Sequence, residues 1–496
     1  MSTADLPRSA AEAQGVDPAG ISAFLDTLEA APDIEMHSLM IIRHGQLVAE
    51  GWWSPYHEEQ PHLLYSLSKS FTSTAVGLAV GEGLVDLDAT VLSYFPELDA
   101  EITDPRSRSM RVRHIAAMAS GHLTDTIDRA LANDPVDLVR GFLLIPPDRE
   151  PGTFFAYNQL CTYTLAAIVQ RLTGQTLVEY LRPRLLDPLG IGPVGWQQHP
   201  AGRDLGFTGL HATTDAIARL GLLYLQRGVW NGTRLLSDAW VAEATRTQVA
   251  NPDEPNPDWR QGYGFQFWMG RHGFRGDGAY GQFCIVLPEQ DAVIATTAST
   301  ENMQGILDAV WAHLLPAMAA DALEPSPAAA AALTDRLATL ALAPLGGEPE
   351  PSTDPDAWAD LVLRPGATGD VQPSLTEVRL LREEDRPGAT RWRLVLVEGD
   401  TEISAPVGTG EWQTNLPETA YGDTGVPIGV SGGWVDEDTF RADVIFLETP
   451  HRLEMTASRS RSTVDLHWVT VALRSGHLAD LRMPRSSAAW TRTRVS

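Results

Sequence analysis

Of the 37 Lys and Arg residues in this 496-residue chain, Lys69 is the only lysine. It lies three positions after Ser66 in Tyr65-Ser66-Leu67-Ser68-Lys69-Ser70-Phe71. A general drift from Lys to Arg explains the missing lysines but not the survivor. Arginine keeps its charge at any ordinary pH, whereas a desolvated lysine can lose its proton and act as a base. A serine hydroxyl is a weak nucleophile until a neighbouring base takes that proton. Ser66 opens an apolar helical run containing Ala75, Val76, Leu78 and Ala79, which Gly81 and Gly83 close. Positions i and i+3 share a helix face, so the amine can meet the hydroxyl. The Ser66 N–H at the helix start is unpaired and the helix dipole favours negative charge there, which suits an oxyanion. Leu63, Leu64, Leu67 and Phe71 supply the apolar setting that a neutral lysine needs.

The elements that must position this pair read as strands at both ends of a helical stretch. Residues 39–53 predict a hairpin with a His44-Gly45 turn, and 263–269, 283–287 and 292–297 predict later strands. Helical patterns fall at 66–80, 163–172, 177–186, 214–226 and 299–315. Together they predict an α+β domain, an antiparallel sheet joined to a helical region, over residues 1–322. An alanine run, a helical stretch at 333–342 and a Pro/Gly-rich linker occupy 323–356. Short strands at 377–381, 392–397, 442–447 and 464–469 predict an all-β barrel or sandwich over 357–496, with 382–386 as a solvated turn.

Composition narrows the function. A net charge of −27 argues against nucleic-acid binding. No apolar run is long enough for a membrane span, and the first residues carry no secretion signal, which predicts a cytoplasmic protein. Cys161 and Cys284 read as buried thiols. His122 reads as structural. No metal-ligand spacing and no phosphate loop is present, so no cofactor is expected.

The run Ser66-Leu67-Ser68-Lys69, followed by Glu82-Gly83-Leu84-Val85-Asp86-Leu87-Asp88, His114-Ile115-Ala116-Ala117-Met118-Ala119-Ser120-Gly121, Pro151-Gly152-Thr153, Tyr157 and Asp187-Pro188-Leu189-Gly190, resembles the serine β-lactamase-like superfamily. That group includes class C β-lactamases, low-molecular-weight penicillin-binding proteins, esterases and D-amino-acid peptidases. The resemblance spans about residues 15–315 and implies that Ser66 is acylated and Lys69 is its base. It also implies that Tyr157 shuttles a proton to the leaving group. The family's Tyr-x-Asn appears here as Tyr157-Asn158-Gln159, so Gln159 stands in for the asparagine. The Lys/His-x-Gly motif aligns with Gly276-Asp277-Gly278, which removes the cation that usually holds a substrate carboxylate. The Ser66 and Ala279 amides are then the implied oxyanion donors, with Gln159, Asn158, Asp277 and Gly278 as the implied substrate contacts. Arg275 and His272 are candidates for a displaced positive charge, although both read more simply as exposed hairpin residues.

The resulting expectation is a hydrolase of small esters or amides, with peptide-like compounds and β-lactams inside the class. The missing cation and missing export signal weigh against β-lactams. An acyltransferase or peptide cyclase would use the same residues, and a non-catalytic ligand-binding relative is the third alternative. The partner is a small molecule; oligomeric state is left open.

Overall fold

The computed structural model describes residues 5–352, 354–359, 361–366, 371–386, 389–416, 425–473 and 476–485. Met1–Ala4, part of the stretch expected to carry no secretion signal, and Thr353 of the Pro/Gly-rich stretch lie outside the described residues.

The hairpin forms as expected from Glu35–Arg43 and Gln46–Trp52. Its turn residues His44 and Gly45 sit at φ 50° and 72°, as a two-residue turn between twisted strands requires. The pair extends into a six-stranded sheet, ordered Gln46–Trp52, Glu35–Arg43, Ala292–Ser299, Gln282–Leu287, Phe274–Gly278, Trp268–Met269. Every pairing is antiparallel. Both faces are covered, so the inner strands read as continuous apolar runs rather than alternating ones. Met40, Ile42, Cys284, Val286 and Val293 pack with the helical region on one face. Ile41, Phe283, Ile285 and Ile294 pack with the helix Pro18–Ala30 on the other. The helix Thr214–Leu225 lies directly on the sheet, and a Cβ at Gly221 would come within 2.9 Å of both Val293 and Cys284.

Three expectations need correction. The aromatic stretch 263–269 contributes only Trp268–Met269 as a strand, because Gln266 at φ 64° folds the chain back on itself. The helix after the alanine run begins earlier, at Pro327–Ala338. Proline is tolerated in a first helical turn and alanine has the best helix propensity, so the run itself is helical. Residues 382–386 continue the strand Glu377–Arg386 instead of turning.

The C-terminal part is a nearly closed barrel-like sheet of nine strands among the described residues, running from Thr401–Pro406 at one edge to Gln413–Thr414 at the other. A bridge from Gly408 to Ser431 brings its edges together. Trp358, Trp392, Trp434 and Phe440 fill its interior.

This barrel seats on the hydrolase-like region close to Ser66. Leu63 N–H donates to Glu448 O at 2.8 Å, Tyr56 Oη to Thr449 O at 3.2 Å, and Arg452 pairs with Glu35 at 2.6 Å. Four buried histidines line the junction: His37, His62, His211 and His451. Burial lowers all four, His211 to about 3 and His451 to about 4. An unfolded histidine takes up a proton near pH 6.5, whereas buried His451 resists until about pH 4, so its stabilisation is present above that window and lost through it. Thermal melting of wild type and His451→Gln should therefore show a stability difference that moves against wild type as pH falls from 6.5 to 4. A pH-independent difference would contradict the neutral, buried state of His451.

Candidate active site

Ser66 lies in a 3₁₀ turn, Tyr65–Leu67, that runs straight into the helix Ser68–Gly81. Tyr65 takes φ 46°, an uncommon value for a bulky side chain, immediately before Ser66. Every residue from Ser68 to Ala79 is buried, and Lys69 is only 1% exposed.

The Lys69 amine sits 2.9 Å from Ser66 Oγ, 2.8 Å from Gln159 Oε1 and 2.8 Å from Phe207 O. The two carbonyl oxygens can only accept, so they take two N–H bonds. The remaining position on nitrogen faces Ser66, where it holds a proton in the ammonium form and a lone pair in the amine. The amine also lies 4.7 Å from the Tyr157 ring centroid. Tyr157 stacks on Trp268 with centroids 5.5 Å apart and packs edge-on to Tyr263. Its phenol is raised by burial and by the Asp277 charge, against a hydrogen bond with Ser66. It therefore stays protonated and able to donate.

Gln159 begins the helix Gln159–Thr173 with its side chain on Lys69. Asn158 is fully buried, its Oδ1 accepting from Leu160 N–H and Thr126 Oγ1, both at 3.0 Å. We reassign Asn158 from substrate contact to helix N-cap. The neighbouring amide, one methylene longer than asparagine, faces the lysine.

The strand Phe274–Gly278 packs on the serine turn at its glycines. A Cβ at Gly276 would lie 2.4 Å from Leu67 Cδ1 and from Ser70 Oγ, and one at Gly278 only 2.0 Å from Leu64 O. A side chain at position 276, where the family resemblance implies a cation, would require Leu67 and Ser70 to shift. Arg275, expected at the surface, is 2% exposed; its Nε donates to Asp277 Oδ2 at 3.1 Å and its guanidinium lies 4.3 Å from the Trp259 ring. Neither spacing nor composition signalled that ion pair, since both residues look like ordinary hairpin polars. His272 is exposed and packs against Trp311. Asp277 is buried, which raises its carboxyl, and Arg275 and Lys69 oppose that shift. Ala279 follows in the turn, half-buried like Ser66. Among the described residues no group of His, Cys, Asp and Glu could hold a metal ion, and no helix is long and apolar enough to cross a membrane. Cys161 and Cys284 are buried free thiols, and His122 is buried between Ser120 Oγ and Ile145 O.

Comparison with known proteins agrees with the α+β fold and assigns the chain to a family. The Beta-lactamase family model matches residues 22–317, and the chain belongs to this family of serine hydrolases acting on esters and amides. It is 27% identical over 306 residues to 6-aminohexanoate-dimer hydrolase of Paenarthrobacter ureafaciens, covering 54% of this chain and 75% of that protein. It is 28% identical over 310 residues to penicillin-binding protein 4 of Amycolatopsis lactamdurans, covering 53% and 80%. Its fold matches that of EstCE1, a hydrolase with promiscuous acyltransferase activity, at TM-score 0.50 and 17% identity, over 59% of this chain and 98% of the other.

The two glycines give a graded test. Gly276→Ala should lower unfolding free energy by about 1–3 kcal/mol, as overpacking typically does. Gly278→Ala should cost more, because it meets a backbone carbonyl that cannot rotate away. Denaturant unfolding of both variants checks the order; equal or negligible losses would contradict the close packing of this strand on the serine turn.

Proposed function

We propose that Ser66 is the acylated nucleophile of an ester or amide hydrolase, that Lys69 is its base, and that Tyr157 donates a proton to the leaving group. The supporting observation is the Lys69 amine, held by two obligate acceptors with its third position on Ser66 Oγ. The serine proton passes to Lys69 as Oγ attacks the substrate carbonyl, and the carbonyl oxygen becomes an oxyanion facing the Ser66 and Ala279 N–H groups. Collapse expels the alcohol or amine, protonated through Tyr157, and water then attacks the acyl-enzyme by the same route.

Gly276 and the Arg275–Asp277 pair support a narrower substrate class. A substrate carboxylate finds no free cation on this strand, since Arg275 is buried against Asp277. Small neutral esters and amides fit this site better than carboxylate-bearing β-lactams.

Intact-protein mass after exposure to p-nitrophenyl acetate, a penicillin and a fluorophosphonate tests the assignment. Wild type should gain the acetyl and phosphonyl masses, and Ser66→Ala should gain neither. Lys69→Arg should be as impaired as Lys69→Ala, with kcat lowered about 10²–10⁴-fold, because a guanidinium cannot accept the proton. Equal labelling of Ser66→Ala, or full activity of Lys69→Arg, would reject it.

A further inference from the structure

The two segments that carry the proposed oxyanion donors share an unusual device. Tyr65 immediately precedes Ser66 at φ 46°, and Tyr280 immediately follows Ala279 at φ 70°. Backbone in this region is strained for a tyrosine and persists only where surroundings hold it. Both phenols are anchored outside the hydrolase-like region. Tyr65 Oη lies 2.7 Å from His451 Nε2, and Tyr280 Oη donates to Val471 O at 2.6 Å. His451 Nδ1 lies 2.9 Å from Thr470 O, a carbonyl that can only accept, so Nδ1 carries the ring proton. Nε2 therefore accepts from the Tyr65 hydroxyl, which in turn accepts Leu473 N–H at 3.3 Å. The three rings of Tyr65, Tyr280 and His451 meet edge-on with centroids 5.6–5.8 Å apart.

We propose that the C-terminal barrel sets the shape of the oxyanion hole: His451 and the segment 470–473 are positioning groups for the Ser66 and Ala279 amides, acting through Tyr65 and Tyr280. This rests on the assignment of those amides above. The hole forms where two chain segments meet, and each is held at the residue next to its donor. Losing either phenol frees a strained backbone to relax and moves one donor off the oxyanion, while ground-state binding is untouched.

The test is Tyr65→Phe and Tyr280→Phe in the full chain, which remove one oxygen and keep each ring. With p-nitrophenyl acetate, each should lose about 10- to 100-fold in kcat, the scale of a misplaced donor, with KM changed less than about twofold. Affinity for phenylboronic acid, whose tetrahedral adduct places an oxygen in the hole, should weaken by a similar factor. His451→Gln, which keeps an acceptor, should retain kcat, and His451→Leu should match Tyr65→Phe. Wild-type kcat and boronate affinity in both Phe variants would overturn the proposal. So would losses that track only melting temperature, or His451→Gln and His451→Leu being equally impaired. A wild type that turns over the ester no better than Ser66→Ala would instead overturn the serine assignment, and the clamp with it.

Discussion

The chemistry proposed for this protein hangs on one nitrogen. The Lys69 amine is buried, and Gln159 Oε1 and Phe207 O fix two of its hydrogens. Those two acceptors come from distant parts of the chain, at the start of the helix Gln159–Thr173 and in the loop that follows Asp204. Their convergence directs the amine toward Ser66 Oγ. A lysine on an exposed helix face would keep its rotamers; burial of Lys69 removes that freedom.

The rest of the scaffold protects that geometry. The glycine strand Phe274–Gly278 comes close enough to the serine turn that a side chain at 276 or 278 would collide with it. That approach packs the strand end before Ala279 against the serine turn, at the position where the family resemblance implies a cation. The absent cation and the proposed pairing of oxyanion donors thus share one close approach. Arg275 cannot replace the cation because its charge is used inside the strand, against Asp277 and the Trp259 face.

Local features were legible in the sequence. The lone lysine three residues after a serine, the hairpin with its His44-Gly45 turn, and the helix closed by Gly81 and Gly83 each follow from short-range pattern. The substitution of Gln159 for asparagine was legible too. What the sequence hid were long-range contacts. Asn158 looks like a substrate ligand until its oxygen is seen capping a buried helix end. Arg275 looks solvated until the sheet covers it. Tyr65 and Tyr280 are unremarkable aromatics in a linear reading; their positive φ values and their anchors some 190 to 390 residues away exist only in the folded chain. The aromatic run 263–269 misleads for the same reason, because burial on several sides mimics strand composition.

Because the chain has a single lysine, its protonation state can be seen directly. Protein carrying ¹³C only at the lysine ε-carbon, and bearing no tag with further lysines, gives one lysine signal that needs no assignment. If the site works as described, that signal at neutral pH has the position of a neutral amine, and it moves when Gln159 is replaced by leucine. An ammonium signal that persists unchanged well above neutral pH would contradict Lys69 as the base.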